Sequence, residues 1–399
     1  MKIVQINSFN GGSTGNIALN INKMASQNNW DTKFYFGRYW KNRTQPSTSS
    51  IKIAFNWETK FHATMARIFD NMGHGSWLST KKLISKLNFE NPDIIHLHNI
   101  HGYYINYPLL FDYLRQSGKP IVWTLHDCWS FTGHCAYFDY SGCNKWKTGC
   151  HNCPQIHTYP KSLFIDNSER NYNLKKKLFL SLGNQLTLVP VSNWLKELIK
   201  ESFFKETKII TIHNGIDTTA FSPQPTIEGS DYVLGVASPW SERKGLNDFF
   251  MLRSILPSNI KIVLVGLSKQ QIKGLPDGIS GIERTQNINQ LATLYSNATI
   301  FFNPTYEDNF PTTNLEALAC GTPVLTYNTG GSPEAVTEKT GFVIPQGDLQ
   351  NAMEIIQKIK REGKSQYSEA CREYALKNFR KEDRFSDYIK LYEDLLNKR

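Results

Sequence analysis

The stretch EDNFPTTNLEALACGTPVL, residues 307–325, opens with two acids, Glu307 and Asp308. A Phe-Pro step follows, then Glu316 near the start of a helical run, then Gly-Thr-Pro and an apolar segment with the character of a buried strand. Carboxylates on both sides of a turn suit recognition of a vicinal diol, because each oxygen accepts hydrogen bonds. The helix that follows offers N–H groups and a dipole to a phosphate. A purely local reading also fits. Thr313-Asn-Leu-Glu316 has the spacing of a capping box, with Glu316 at the third helical position.

Outward from this loop, short β-rich runs alternate with helical patterns. KIVQI, DTKFYFG, DIIHLH, PIVWTLH, TLVPVS and TKIITI form a first series of strands. YVLGVAS, IKIVLVG, ATIFFNP, PVLTYN and GFVIP form a second. Several are apolar throughout, as parallel strands covered on both faces are. Strands alternating with helices predict two doubly wound, Rossmann-like α/β domains, separated by the polar stretch from Ser222 to Ser230. The expected domains are 1–222, with a Cys-rich insertion at 128–154, and 223–378. A C-terminal helix, 379–399, returns to the first domain. Ligands of such sheets sit at the carboxyl ends of the strands, so two facing sheets place the site in a cleft.

The 399-residue length asks for more than one core. No apolar run approaches a membrane span, and MKIVQIN reads as a strand rather than a leader. A cytoplasmic location is expected, with the seven cysteines reduced. Charge is uneven. Residues 1–222 hold 25 Lys and Arg against 14 Asp and Glu, whereas residues 223–399 hold 20 against 21. The basic half suits an anionic surface, and membrane is preferred to nucleic acid because no nucleic-acid motif is present. Lys175, Lys176 and Lys177, with Leu174, Leu178 and Phe179, form a candidate contact.

Two glycine loops follow the first strand of each series. NGGSTGNIALN places Gly11 and Gly12 before a helix, where a phosphate can approach. It is not GxGxxG, and Asp31 precedes its strand, which argues against a dinucleotide. ASPWSERKGLNDFF puts Arg243 and Lys244 at a helix start. Cations there oppose the dipole unless an anion is present, which points to a diphosphate clamp.

With GG after the first strand, VSNWLKE, IHNGIDTTAFSP, ERKG and D-x7-E in DNFPTTNLEALACGTPV, the chain resembles glycosyltransferase family 4 over nearly its whole length. The resemblance implies a GT-B fold and sugar transfer from a nucleotide-sugar with retention of configuration, without a catalytic metal. It implies that Glu316 takes the ribose hydroxyls. Asp308, or the adjacent Glu307, lies beside the donor sugar, and the amides of Asn309 and Phe310 face sugar and diphosphate. Two departures stand out. The first acid is Asp308 where the family usually has Glu, and Ser238 stands where the family usually has Arg. In the first domain, HLHNIHGYYIN and TLHDCW end two strands. His126 matches a family histidine that contacts the donor sugar. His98, Asn99, Tyr103 and Asp127 are candidate acceptor contacts, and His96 shares a face with His98.

Cys135, Cys143, Cys150 and Cys153 are spaced C-x7-C-x6-C-x2-C in a Gly- and Lys-rich segment with little apparent core. Four clustered thiolates suit a structural zinc outside the chemical step. Cys128 is a spare, and Cys320 and Cys371 lie in helical segments. Taken together, the sequence predicts a retaining hexosyltransferase of bacterial surface polysaccharide, using a UDP-sugar ahead of a GDP-sugar. Its acceptor is lipid-linked or a saccharide, and its place is the inner face of the membrane. The competing readings are a GT-B sugar-nucleotide epimerase and a non-catalytic binder of anionic surfaces.

Overall fold

The computed structural model describes residues 1–40, 50–225, 227, 229 and 231–397. Parts of the polar stretch (226, 228 and 230) and the last two residues therefore lie outside the described residues. The chain divides into two compact units. One comprises Met1–His213 with Phe385–Arg399, and the other is Asn214–Arg384. The division falls just before the Asn214-Gly-Ile-Asp217 segment, ahead of Pro223.

The first unit is built on β1 (Lys2–Phe9), β2 (Asp31–Arg38), β3 (Ser50–Lys52), β4 (Ile94–Leu97), β5 (Ile121–Leu125), β6 (Leu186–Pro190) and β7 (Lys208–Ile209). Their order is β3-β2-β1-β4-β5-β6-β7, and every pairing is parallel. β4, β5 and β6 are buried at every residue, which explains their predominantly apolar character. The first helix, α1 (Gly12–Gln27), lays Ile17 and Ile21 on Ile3, Ile94, Val122 and Val189. Phe385, Tyr388, Leu391 and Tyr392 of the C-terminal helix (Lys381–Asn397) complete this cluster. Two further helices, α2 (Asn56–Phe69) and α3 (Trp77–Glu90), precede β4.

The second unit holds β8 (Tyr232–Val236), β9 (Lys261–Val265), β10 (Ile279–Ile282), β11 (Ile300–Asn303), β12 (Val324–Tyr327) and β13 (Gly341–Ile344). The order is β10-β9-β8-β11-β12-β13, again all parallel. Phe249, Leu252, Ile262, Leu264, Phe302 and Ile356 anchor its core. Two strands absent from the sequence reading, β3 and β10, are both sheet edges. No described helix is long and apolar enough to cross a membrane.

Candidate active site

In the second unit the carboxylate loop runs from β11 to the helix Thr312–Ala319. The capping-box reading of Glu316 fails. The helix starts two residues earlier than that reading requires, with Pro311 at the cap and no side-chain cap bond. Glu316 instead accepts a hydrogen bond from the Tyr295 hydroxyl at 3.0 Å. Burial pushes its carboxyl up to about 7, against the opposing pull of bonds from Tyr295 and Thr312. A half-charged, desolvated acid that already draws two hydroxyl donors suits hydroxyl recognition.

Arg243 and Lys244 stand just before a helix, beside Gly245. They lie in a 3-10 turn, Glu242–Lys244, and the helix Leu246–Ile255 begins after Gly245. Their charges are met within the chain. Lys244 is ion-paired with Asp308. Arg243 Nη1 donates to the Glu307 carbonyl at 2.6 Å, and its Nε lies 4.0 Å from the Glu307 carboxylate. The Arg243 carbonyl in turn accepts from Tyr306 N at 2.9 Å. The ERKG turn and the acidic loop are thus one braced unit. Glu307 and Asn309 are buried, and Phe310 packs on Phe379 with ring centroids 5.9 Å apart.

The sequence reading missed two groups here. Gly330, after β12, has φ +54, and a Cβ there would collide with the Asp308 carbonyl. That carbonyl accepts from Gly331 N at 3.1 Å. Asp248 accepts from Tyr306 Oη at 2.9 Å and from Tyr327 Oη at 2.5 Å, which fixes the loop from below. A Thr-Gly-Gly run (Thr329–Gly331) after a strand was the available signal for the first.

In the first unit, β4 and β5 end side by side, which brings His98, His101, His126 and Asp127 together. His98 Nδ1 lies 3.2 Å from His126 Nε2, and His98 Nε2 lies 2.9 Å from Gln5 Oε1. His101 Nε2 is 2.8 Å from Asp127 Oδ2, and its Nδ1 is 2.9 Å from the Tyr159 hydroxyl. Burial holds the His126 imidazole down to about 4, against a raising influence from Asp127. It is therefore neutral near pH 7 and acts as a hydrogen-bonding group rather than a cation. Asn99 N donates to Asn7 Oδ1 at 3.2 Å, and Tyr103 has φ +68. His96 is part of the core. It is fully buried, 2.6 Å from Tyr392 Oη and 2.8 Å from Thr124 Oγ1, and it ties the C-terminal helix to the sheet. Gly11 and Gly12 open α1, with Trp40 packed against both.

The zinc expected at Cys135, Cys143, Cys150 and Cys153 has no assembled site. Among the described residues, no group of three or more His, Cys, Asp or Glu is placed to hold a metal ion. Cys135 and Cys153 hydrogen-bond thiol to thiol, and Cys150 accepts from Gly133 N at 3.1 Å. The premise that the loop lacks a core is also overturned. Trp146 is buried against Phe138 and Phe131, at centroid distances of 4.8 and 5.3 Å. Beneath the loop Lys175 donates to the carbonyls of Trp129 and Thr132 at 2.8 and 3.0 Å, its ammonium 3.4 Å from the Trp129 ring centroid. Lys175 is only 1% exposed and Phe179 is buried, so the expected lipid contact at Lys175–Lys177 loses one of its three cations and its aromatic.

Residues 217–378 match the family Glycosyl transferases group 1, and residues 58–220 match Glycosyltransferase Family 4. The chain belongs to the group 1 and family 4 glycosyltransferases. It is 25% identical over 370 residues, 88% of each chain, to a putative colanic acid biosynthesis glycosyl transferase (WcaC) of Escherichia coli K12. It is 26% identical over 235 residues to the capsular polysaccharide biosynthesis glycosyltransferase CapM of Staphylococcus aureus, covering 52% of this chain and 60% of that one. In fold it matches the sucrose-phosphate synthase of Thermosynechococcus elongatus, with a TM-score of 0.74 at 16% identity over all of both chains. It also matches Anabaena HepE in complex with UDP-glucose, with a TM-score of 0.67 at 14% identity over 99% of this chain and 100% of that one. The two parallel-sheet α/β units of this glycosyltransferase are those of the GT-B fold.

Proposed function

We propose that this glycosyltransferase moves a hexosyl group from a UDP-sugar, with retention, to a lipid-linked or saccharide acceptor of bacterial surface polysaccharide. The observation that carries the reading is the braced acidic loop, in which Lys244 and Arg243 hold Asp308 and Glu307 while Glu316 is drawn on by hydroxyl donors. The relatives named for colanic acid and capsule biosynthesis support the product class. The neighbour with bound UDP-glucose supports the donor class.

In this reading Glu316 accepts the ribose hydroxyls. Asp308, or Glu307 beside it, takes the sugar hydroxyls, and the amides of Asn309 and Phe310 face the diphosphate. Lys244 and Arg243 exchange part of their bonding with the acidic loop for phosphate oxygens as the donor enters. Gly11 and Gly12 offer backbone N–H groups to the same phosphates. The C1–oxygen bond to the diphosphate breaks through an oxocarbenium-like transition state, and the cations stabilise the charge left on the phosphate. The acceptor hydroxyl attacks on the face the diphosphate leaves, and its proton passes to a phosphate oxygen. Neutral His126 donates or accepts one hydrogen bond at the donor sugar. His98, Asn99, Tyr103 and Asp127 orient the acceptor. The basic first half holds the chain at the inner face of the membrane.

The test is a thermal-shift screen against UDP, GDP and their sugar conjugates, followed by radiolabelled transfer into a membrane lipid extract. UDP-sugar stabilisation and labelled lipid with an unchanged anomeric configuration are expected. Stabilisation by no nucleotide would overturn the reading.

A further inference from the structure

α2 and α3 present an unusual outer face. Trp57 and Phe61 on α2 are each 60% exposed, and Trp77 at the start of α3 is 57% exposed. Leu78 is exposed beside Trp77. These side chains line a cavity of about 350 Å³ together with Met65, Gly75 and the polar His62, Asn71 and His74. Large aromatics scattered singly need no explanation, but two tryptophans and a phenylalanine around one mostly apolar cavity form a patch.

The charges around this patch have one sign. α2 and α3 carry Lys60, Arg67, Lys81, Lys82 and Lys86. Their two acids are turned to other work. Glu58 is buried and accepts from the N–H groups of Leu78 and Ser79 at 2.7 and 2.9 Å, which caps α3 from within. Glu90, at the far end, bonds Lys2 at 3.1 Å. What remains outward is aromatic and cationic. Lys82 hangs 5.1 Å from the Phe55 ring centroid, itself exposed. Tryptophan flanked by lysine, with no outward carboxylate, is the composition of a surface that sits in the headgroup layer of an anionic bilayer. A protein partner would bring acids for the lysines, but it gives no reason for an open, mostly apolar cavity between two tryptophans. An acyl chain does.

We propose that the α2–α3 face is the surface on which this glycosyltransferase docks to an anionic membrane leaflet. Trp57, Phe61 and Trp77 enter the acyl boundary, and Lys60, Lys81 and Lys82 meet the headgroups. The proposal rests on the lipid-linked acceptor reading above and gives it a location, in place of Lys175–Lys177.

The experiment is co-sedimentation of the full chain with vesicles of phosphatidylglycerol and phosphatidylcholine, against phosphatidylcholine alone. Binding to the anionic vesicles only is expected, with partition falling at least tenfold in Trp57→Ser/Trp77→Ser. Each of Lys60→Ala, Lys81→Ala and Lys82→Ala lowers partition about fivefold, the equivalent of one basic residue near a charged leaflet. Quenching of tryptophan emission by brominated lipid is lost in Trp57→Phe/Trp77→Phe. UDP thermal shifts are measured on every variant and stay at the wild-type value, which separates docking from donor binding and from misfolding. Wild-type binding that these variants leave intact overturns the assignment of the face. Failure of the wild type to bind anionic vesicles while still shifted by UDP overturns docking and leaves the transferase reading standing. Self-association abolished by Trp57→Ser/Trp77→Ser, without vesicle binding, gives the face to a second copy of the chain. Absence of any UDP shift counts against the functional reading instead.

Discussion

Glu316 carries a cost in the ligand-free protein that its proposed role explains. Its carboxyl is raised to about 7 by burial, above its ordinary value near 4.5. Native structure therefore favours the protonated form, and stability present below pH 4.5 is lost as pH rises through 7. Glu316→Gln should remove that loss. Its melting temperature relative to wild type should be higher at pH 8 than at pH 5, while affinity for UDP falls about tenfold or more. Thermal melts with and without UDP at both pH values check both halves. Equal UDP affinity would remove Glu316 from the donor site. Gly330 makes a second residue-scale case. Ala at φ +54, with its Cβ against the Asp308 carbonyl, must push the acidic loop away. Gly330→Ala should lower transferase activity by about a hundredfold, as a displacement of about 1 Å in a reacting constellation does, while the chain stays folded by circular dichroism. The D-x7-E spacing was legible because both acids lie on one continuous segment. Tyr295 and Gly330 were not, because they reach the loop from other elements; the glycine pair at Gly330 marks a turn but not the segment it meets, and nothing around Tyr295 marks its contact.

At the scale of elements, the cysteine loop shows how a segment can look coreless and still be packed. Its core comes from Phe131, Phe138 and Trp146, spaced too irregularly for strand or helix periodicity, and from Lys175 on a later helix. Burial lowers the Lys175 ammonium to about 7, and nearby thiols oppose that shift. Two carbonyls and an aromatic face depend on it. Lys175→Ala should cost about 2–4 kcal/mol, since it leaves buried acceptors unpaired and empties space beside Trp129. Urea unfolding of the two proteins measures the difference, and a change below about 0.5 kcal/mol, the range of ordinary surface substitutions, would refute the packing role. Strands were legible where burial on both faces made them predominantly apolar, as in β4, β5 and β6. β3 (Ser-Ile-Lys) and β10 (Ile-Ser-Gly-Ile) were not. Both are short edge strands with one paired side, and Gly281 breaks the apolar run of the second. The ERKG turn was found by its charges, but its pairing with the acidic loop was invisible because Lys244 and Asp308 are far apart in sequence.

Across the whole molecule, the chain's last helix belongs to the unit that its first strand begins. The amphipathic face of that helix was legible from Phe385, Tyr388, Leu391, Tyr392 and Leu395. Its return to the first domain was expected, but its own residues do not name the surface it packs on. The bonds that hold it there explain the destination physically. Tyr392 reaches His96 at 2.6 Å, Tyr388 accepts from Thr124 at 3.2 Å, and the helix closes the cluster formed by Ile3, Val122 and Val189. His96 and Thr124 are polar side chains within buried strands, and without those tyrosines each loses one of its two buried partners and keeps only the other. Truncation after Arg384 should therefore unfold or severely destabilise the first unit, although the residues removed follow the second unit in the chain. Each buried aromatic deleted costs about 3–5 kcal/mol, which approaches the entire stability of an ordinary domain. The second unit keeps its own cluster around Phe249, Phe302 and Ile356 and should remain folded. Hydrogen exchange on the truncated chain reads the two units separately. Amides of β4 and β5 should lose protection while those of β9, β11 and β12 retain it, and protection in β4 and β5 matching the full-length chain would mean that the helix is not needed to hold that sheet.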